Sequence, residues 1–235
     1  MSEAMLEQLS RAVKRDLGTD ADRWFRPAGY ESAALAVIDS IYSTGNHYTG
    51  VINAVNRYRR ARIDEGANPD RDGARELVSA VDRWGGVDGL IERTNKWKTS
   101  TRAGAPTKAE AAYGAAEALV EQGMDSVIDV RGALAGREKQ ESSPLKRRWL
   151  NLPGQRSGLT WTYFLMLCGV PGVKADRMVV GYVSRVFGQE VSGERARELV
   201  GGVARQLETN ELHLDHAIWR HESGRAVFLG EGSDG

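Results

Sequence analysis

The chain has 235 residues, 41% of them hydrophobic, enough to bury the core of one domain or of two small lobes. Its 32 basic and 32 acidic residues cancel, which argues against coating of nucleic acid by the whole surface. A single cysteine, Cys168, excludes an intrachain disulfide, a four-cysteine iron–sulfur cluster and a cysteine-based zinc site.

In chain order the apolar residues repeat at helical spacing, with almost no alternation of period two. The start, MSEAMLEQLSRAVKRDLG, is amphipathic and charged throughout, unlike a secretory signal, and predicts a helix from about Ser2 to Leu17. Ala34, Leu35, Val37, Ile38 and Ile41 form a stripe on a helix over 31–42. After Thr44-Gly45-Asn46 a second helix covers 48–63, and Pro69-Asp70 gives the N-cap context of a third, 71–84. Gly85-Gly86 breaks that helix before a short one at 87–93. Residues 96–106 read as a polar loop. Thr107 with Glu110 reads as a capping box for a helix to Gln122. A short helix over 124–135 precedes a charged, flexible segment at 137–143. Helices over 145–150, 159–168, 176–187, 192–208 and 211–222 complete the chain, and the tail FLGEGSDG is expected to fray. The fold class is all-α. The run Leu159–Val173 holds Thr160 and Thr162 and is too short to span a bilayer, so a cytoplasmic protein without a membrane partner is expected.

Charge is uneven along this zero-sum chain. Basic residues crowd RYRRAR (Arg57, Arg59, Arg60, Arg62), NKWKTSTR (Lys96, Lys98, Arg102) and KRRW (Lys146, Arg147, Arg148), with Trp97 and Trp149 interleaved. Such clusters are solvated helix faces or one phosphate-facing side. Three of the four histidines fall in LHLDHAIWRHESG, where His213 and His216 flank Asp215. No metal-ligand spacing of the HExxH type is present, so this segment reads as a polar helix face and no metal is expected.

The most informative stretch is LPGQRSGLTWTYFLMLCGVPGVKAD, Leu152 to Asp176. Gly154-Gln155-Arg156-Ser157-Gly158 is a tight turn between two short helices. It is either an anion site, made of backbone N–H groups at a helix start plus the Arg156 cation, or an ordinary helix–helix corner. Asp176 stands where a helix N-cap is expected, a position that favours negative charge.

This stretch resembles the helix-hairpin-helix DNA glycosylases of the endonuclease III superfamily. Leu152-Pro153-Gly154 matches the start of their hairpin, and Gly169-x-Pro171 matches the end of the helix that follows. Asp176 falls, without a gap, where the family has its catalytic aspartate, and DRMVVGYVSRV echoes the next helix. Upstream, AVIDSIYSTGNHYTGVINAV is similar to the family's helix, DNA-wedge loop, helix element. The likeness covers about residues 31–188. Its departures are Arg156 in place of a hairpin glycine, Gly158 where bifunctional members carry a lysine, and the missing cluster cysteines.

The resemblance implies a two-lobed, endonuclease III-like helical unit. A six-helix lobe would span about 31–150. A helix-hairpin-helix and catalytic lobe would span about 145–235, packed with the N-terminal helix 1–17. It implies a monofunctional hydrolase without cofactor, acting as a monomer on DNA. Asp176 would stabilise the oxocarbenium-like state as the glycosidic bond to a flipped base breaks, leaving an abasic site. Gly154, Gln155, Arg156, Ser157 and Gly158 would contact the DNA backbone. Tyr42, or Asn46 and His47, would fill the gap left by the base, with core packing the alternative for Tyr42. Trp161 and Tyr163 either line the pocket or pack in the core. A glycine at 158 excludes β-lyase chemistry from that position and vacates space for a bulky, hypermodified base, which would make the role antiviral defence rather than DNA repair. The alternative is a non-catalytic helix-hairpin-helix binding module.

Overall fold

The computed structural model describes residues Glu3–Leu229. Among them are helices α1 (Glu3–Leu17), α2 (Ala33–Tyr42), α3 (Tyr48–Asp64), α4 (Ala74–Arg83), α5 (Val87–Glu92), α6 (Lys108–Glu121) and α7 (Val127–Ala133). They continue with α8 (Arg137–Ser142), α9 (Pro144–Leu150), α10 (Leu159–Leu167), α11 (Arg177–Phe187), α12 (Gly193–Gln206) and α13 (Glu211–Glu222). The described residues contain no β-strand, only two isolated bridges, so the chain is all-α. No helix among them is long and apolar enough to cross a membrane. The part of the tail expected to fray beyond Leu229 lies outside the described residues.

The chain divides into two compact units. One runs from Gly29 to Val170; the other joins the segment ending at Ala28 to the segment starting at Pro171. The division expected near residues 145–150 is therefore displaced. The hairpin and α10 pack with the first unit, because α10 lies along α2 and α9 lies along α6.

In the Gly29–Val170 unit α2 is the hub. All ten of its residues are buried, so the expected apolar stripe is in fact an apolar cylinder. Two of its polar side chains are held in place: the Tyr30 hydroxyl donates to Asp39 Oδ2 at 2.8 Å, and Tyr42 shares a hydrogen bond of 2.8 Å with Thr94. Around it sit α3, α4, α6 and α10. The alanines of α6 (Ala109, Ala112, Ala115, Ala116) leave it thin enough for close packing.

A buried polar knot ties α3 to the start of α2. Arg62 Nε donates to Asp72 Oδ2 at 2.7 Å, and the Tyr58 hydroxyl donates to the same oxygen at 2.8 Å. The Asp72 carbonyl accepts from Ser32 Oγ at 2.7 Å and from the Ala34 N–H at 3.2 Å.

Three expectations change in this unit. Residues 137–142 are helical (α8), not a flexible coil: the turn starts from Gly136 at φ 89° and buries none of its residues, so no apolar stripe announced it. α4 starts at Ala74 rather than Arg71, since Pro69–Arg71 is a separate 3-10 turn capped by Asn68. The N-terminus of α4 is capped from a distance, where Asp125 accepts from the N–H groups of Ala74 (2.9 Å) and Arg75 (2.8 Å). α7 starts at Val127, where Ser126 and Asp129 form a capping box.

In the other unit α1, α11, α12 and α13 pack around Leu9, Val13, Tyr182, Val183, Leu199, Val203, Leu214 and Ile218. Its two chain segments are joined through Trp24. The Trp24 indole donates to the Leu17 carbonyl at 2.6 Å, and the Phe25 N–H donates to the Val227 carbonyl at 2.9 Å.

Asp72 and Asp70 offer a matched comparison. Asp72→Ala leaves buried Arg62 with Glu65 as its remaining ion-pair partner and takes the acceptor from the Tyr58 hydroxyl, and should cost about 3 kcal/mol. Asp70→Ala removes an exposed partner of Arg59 and should cost about 1 kcal/mol or less. Urea unfolding of the two variants measures the difference.

Candidate functional site

The hairpin is held from inside. Gln155 is buried; its amide donates to the Pro153 carbonyl at 2.7 Å and its oxygen accepts from Thr160 Oγ1 at 2.5 Å. The Trp149 indole donates to the same Thr160 oxygen at 3.1 Å. The Gln155 side chain is thus spent on locking the corner. Gly154 and Gly158 both take positive φ, 76° and 74°. Gly158 is the N-cap of α10, so its backbone already requires a glycine, whatever space a missing lysine leaves. Gly154, Arg156 and Ser157 are exposed on the outer side of this corner.

Two further segments meet the hairpin. A Cβ at Gly154 would stand 2.7 Å from Thr99 Cβ, so the 96–106 loop lies directly against the turn. The same loop seats Trp97 against the start of α3, where a Cβ at Gly50 would stand 2.6 Å from the indole. The turn between α2 and α3 is fixed beneath by buried Lys108, whose ammonium donates to the carbonyls of Tyr42 (2.9 Å) and Thr44 (2.6 Å). One surface of the Gly29–Val170 unit therefore carries the hairpin, the polar loop and the α2–α3 turn.

On that turn the residues separate. Tyr42 is fully buried in the core, and burial pushes its hydroxyl up to about 12. Asn46 is half-buried and donates back to the carbonyls of Tyr42 (3.2 Å) and Thr44 (3.0 Å), closing the turn. His47 is exposed, and its side chain caps nothing on α3. Tyr48, which the sequence reading took only as a helix start, is the exposed aromatic here at 45%. Trp161 is also core: it meets Trp149 edge-on at 5.8 Å beside the stacked Trp149–Phe164 pair. Tyr163 is half-buried against the same cluster.

The basic clusters sort by partner. In RYRRAR, Arg57 donates to the Thr94 carbonyl, Arg59 pairs with Asp70, Arg60 with Asp64 and Arg62 with Asp72. Of these, Arg62 is buried in the fold, whereas Arg60 pairs on the open surface. In KRRW, Lys146 pairs with Glu141 and Arg148 with Glu121. Lys96, Lys98 and Arg102 of the polar loop and Arg156 of the hairpin are exposed and have no ion pair among the described residues. Exposed cations without an ion pair thus stand on both segments that touch at Gly154 and Thr99, as Arg147 does in KRRW.

α10 ends as its sequence implied. Gly169 takes φ 81°, and the Val170 N–H returns to the Leu165 carbonyl at 2.9 Å. Arg131 donates to the Cys168 carbonyl at the same helix end.

In the second unit Asp176 is the N-cap of α11. Its Oδ1 accepts from the N–H groups of Met178 (2.9 Å) and Val179 (3.3 Å), and the carboxylate is half-buried. A second carboxyl group stands behind it. Asp215 of α13 is 6% exposed and accepts the backbone N–H of Lys174, two residues before Asp176. Its Oδ1 is buried without a hydrogen-bond partner. Burial pushes Asp215 well above the usual carboxylate range, and the neighbouring Asp176 carboxylate pushes it further. The reading of 213–221 as a polar helix face fails at this residue. Its only signal was position: Leu214, Asp215, Ala217 and Ile218 form a buried face of α13. Among the described residues no group of three His, Cys, Asp or Glu is placed to hold a metal ion.

The fold and these residues define an all-α protein with a glycine-cornered helical hairpin and a carboxylate helix cap. The chain belongs to the family described as Domain of unknown function (DUF8548), whose profile matches residues 7–223. No curated protein and no solved structure matches the chain.

The hairpin corner is testable by itself. Gly154→Ala places a side chain at φ 76° against Thr99 and should cost about 1–3 kcal/mol, read as a lower urea midpoint.

Proposed function

We propose that this protein is a monofunctional DNA glycosylase of the helix-hairpin-helix, endonuclease III-like kind. The observation that carries the reading is the run from hairpin to carboxylate. A glycine-cornered turn leads to a helix closed by Gly169, and then to a carboxylate that caps the next helix at Asp176. That is the order of elements in which such enzymes hold their catalytic aspartate.

In this reading the surface with Arg156, Lys96, Lys98 and Arg102 takes the phosphate backbone, and the exposed backbone at Gly154 and Ser157 lets phosphates approach. His47 and Tyr48 take over from Tyr42 as the side chains that meet the unstacked bases, since an exposed aromatic stacks on any base. Asp176 acts on the sugar of the flipped nucleotide. As the bond from C1′ to the base nitrogen lengthens, positive charge grows on the sugar ring, and a fixed carboxylate stabilises it. Water adds to C1′ and gives up a proton, the base leaves with the bonding electron pair and gains a proton, and an abasic site remains. With no lysine at 158, strand cleavage through a Schiff base at that position does not follow. At Gly158 the positive φ by itself favours glycine, and the absent side chain leaves the room that a bulky base would use. The target base is to be found by trial.

Two measurements test the reading. Wild type and Asp176→Asn are incubated with DNA carrying uracil, alkylated, oxidised or glucosylated bases, and abasic sites are then cleaved with hot alkali. Wild type should release one class of base, and Asp176→Asn should be slower by about 10²–10⁴-fold with DNA affinity kept. Absence of release from every substrate, with tight binding intact, would favour the non-catalytic module. Separately, Lys98→Glu with Arg156→Glu should weaken DNA binding, and the slope of log affinity against log salt should fall by about one per cation removed.

A further inference from the structure

We propose that Asp215 is the positioning residue for Asp176: from α13 its buried carboxyl group anchors the turn at Lys174–Asp176 and so sets where the Asp176 carboxylate stands. This rests on the reading of Asp176 as the catalytic carboxylate.

The geometry is local to one unit. The segment from Pro171 to Asp176 has no regular structure, yet it must deliver Asp176 to the first turn of α11. It is held at three places. Arg197 Nε donates to the Val173 carbonyl at 3.3 Å, the Asp176 N–H returns to the Lys174 carbonyl at 2.6 Å, and the Lys174 N–H reaches Asp215. Asp215 is the only one of these anchors that is itself an acid. A buried carboxylate is costly unless it is paired, and its Oδ1 has no partner in the interior. A hydrophobic residue would fill that site more cheaply, but it would leave the Lys174 N–H without an acceptor.

The charged groups around α13 account for its state. Arg185 of α11 is engaged with Glu222, Arg205 of α12 with Glu211, and Asp16 at the end of α1 with Arg15. The fields that act on Asp215 are those of Asp176, which favours its protonated form, and of Lys174, which opposes this. Burial dominates, so the folded unit favours the protonated form of Asp215. Once Asp215 ionises, an anion sits in the interior beneath the Asp176 turn, compensated in part by Lys174. The folded protein then binds one more proton than the unfolded chain between the two pKa values of Asp215. Its contribution to stability is complete below the ordinary aspartate range and is lost as pH rises through the raised value.

Asp215→Asn keeps the shape and the acceptor for Lys174 but cannot ionise, whereas Asp215→Ala removes the anchor. Asp215→Ala should lower kcat by about 10²-fold through misplacement of Asp176, with DNA affinity unchanged, and Asp215→Asn should recover activity relative to it. The wild-type Tm should fall with rising pH relative to that of Asp215→Asn. Carboxyl carbon NMR titration needs no change at Asp215: its resonance should titrate above those of the other aspartates in the wild type and move down in Asp176→Asn. An Asp215 that titrates in the ordinary range, or is indifferent to Asp176→Asn, overturns the inference. So does equal kcat for Asp215→Ala and wild type. If no DNA substrate is turned over, the glycosylase reading fails, while the Tm and NMR measurements still decide whether Asp215 and Asp176 are coupled.

Discussion

The Gly29–Val170 unit depends on one constraint, the complete burial of α2. A helix buried on every side must meet partners all round, and α3, α4, α6 and α10 supply them. Small residues make this possible: the alanines of α2 and α6 let the helix axes approach closely. Polar groups that α2 carries inward are held in place, Asp39 by the Tyr30 hydroxyl and Tyr42 by Thr94. Its C-terminal carbonyl at Tyr42 accepts from the Lys108 ammonium, which also fixes the exposed turn beyond it. The surface proposed for DNA is therefore shaped from the core outwards. Lys108 sets the turn at His47 and Tyr48, and the Trp149–Thr160–Gln155 chain sets the hairpin.

That arrangement also decides which cations are available. An arginine cluster in sequence looks like a phosphate-binding face. Here the four arginines of RYRRAR are spent on Thr94, Asp70, Asp64 and Asp72, and Arg62 is buried altogether. Exposed charge without an ion pair lies on the less conspicuous loop 96–106 and on Arg156, the residue that departs from the glycosylase pattern, as well as on Arg147 of KRRW. A zero net charge is thus compatible with a local cationic surface, because the surplus is positional rather than compositional.

Helix existence was largely legible from the sequence because it depends on neighbours a few residues apart. Ser126 with Asp129, Thr107 with Glu110, and Asp176 with Met178 and Val179 are local bonds that a sequence shows. α4 was misplaced because its cap comes from Asp125, fifty residues away and invisible to a local reading. α8 escaped because a short, fully solvent-facing turn has no apolar face to show. At the site, Asp176 and the two hairpin glycines were legible, since an N-cap and a positive φ have residue signatures. Tyr42, Trp161 and Gln155 were not, because whether an aromatic or an amide faces water or the core is set by helices from elsewhere in the chain.

Taken alone, the sequence determined the all-α class, nearly every helix, the tight corner at Gly154–Gly158 and the carboxylate cap at Asp176. Each of these follows from periodicity and backbone chemistry within one or two turns. Only the tertiary structure decided the unit boundary at Val170, the core fate of Tyr42 and Trp161, the free cations of the 96–106 loop and the acid behind Asp176. Asp215 shows why. In sequence it is one aspartate between two histidines. It becomes distinctive only when the packing of α13 removes it from water and brings it to Lys174 and Asp176, and desolvation is a property of the assembled unit.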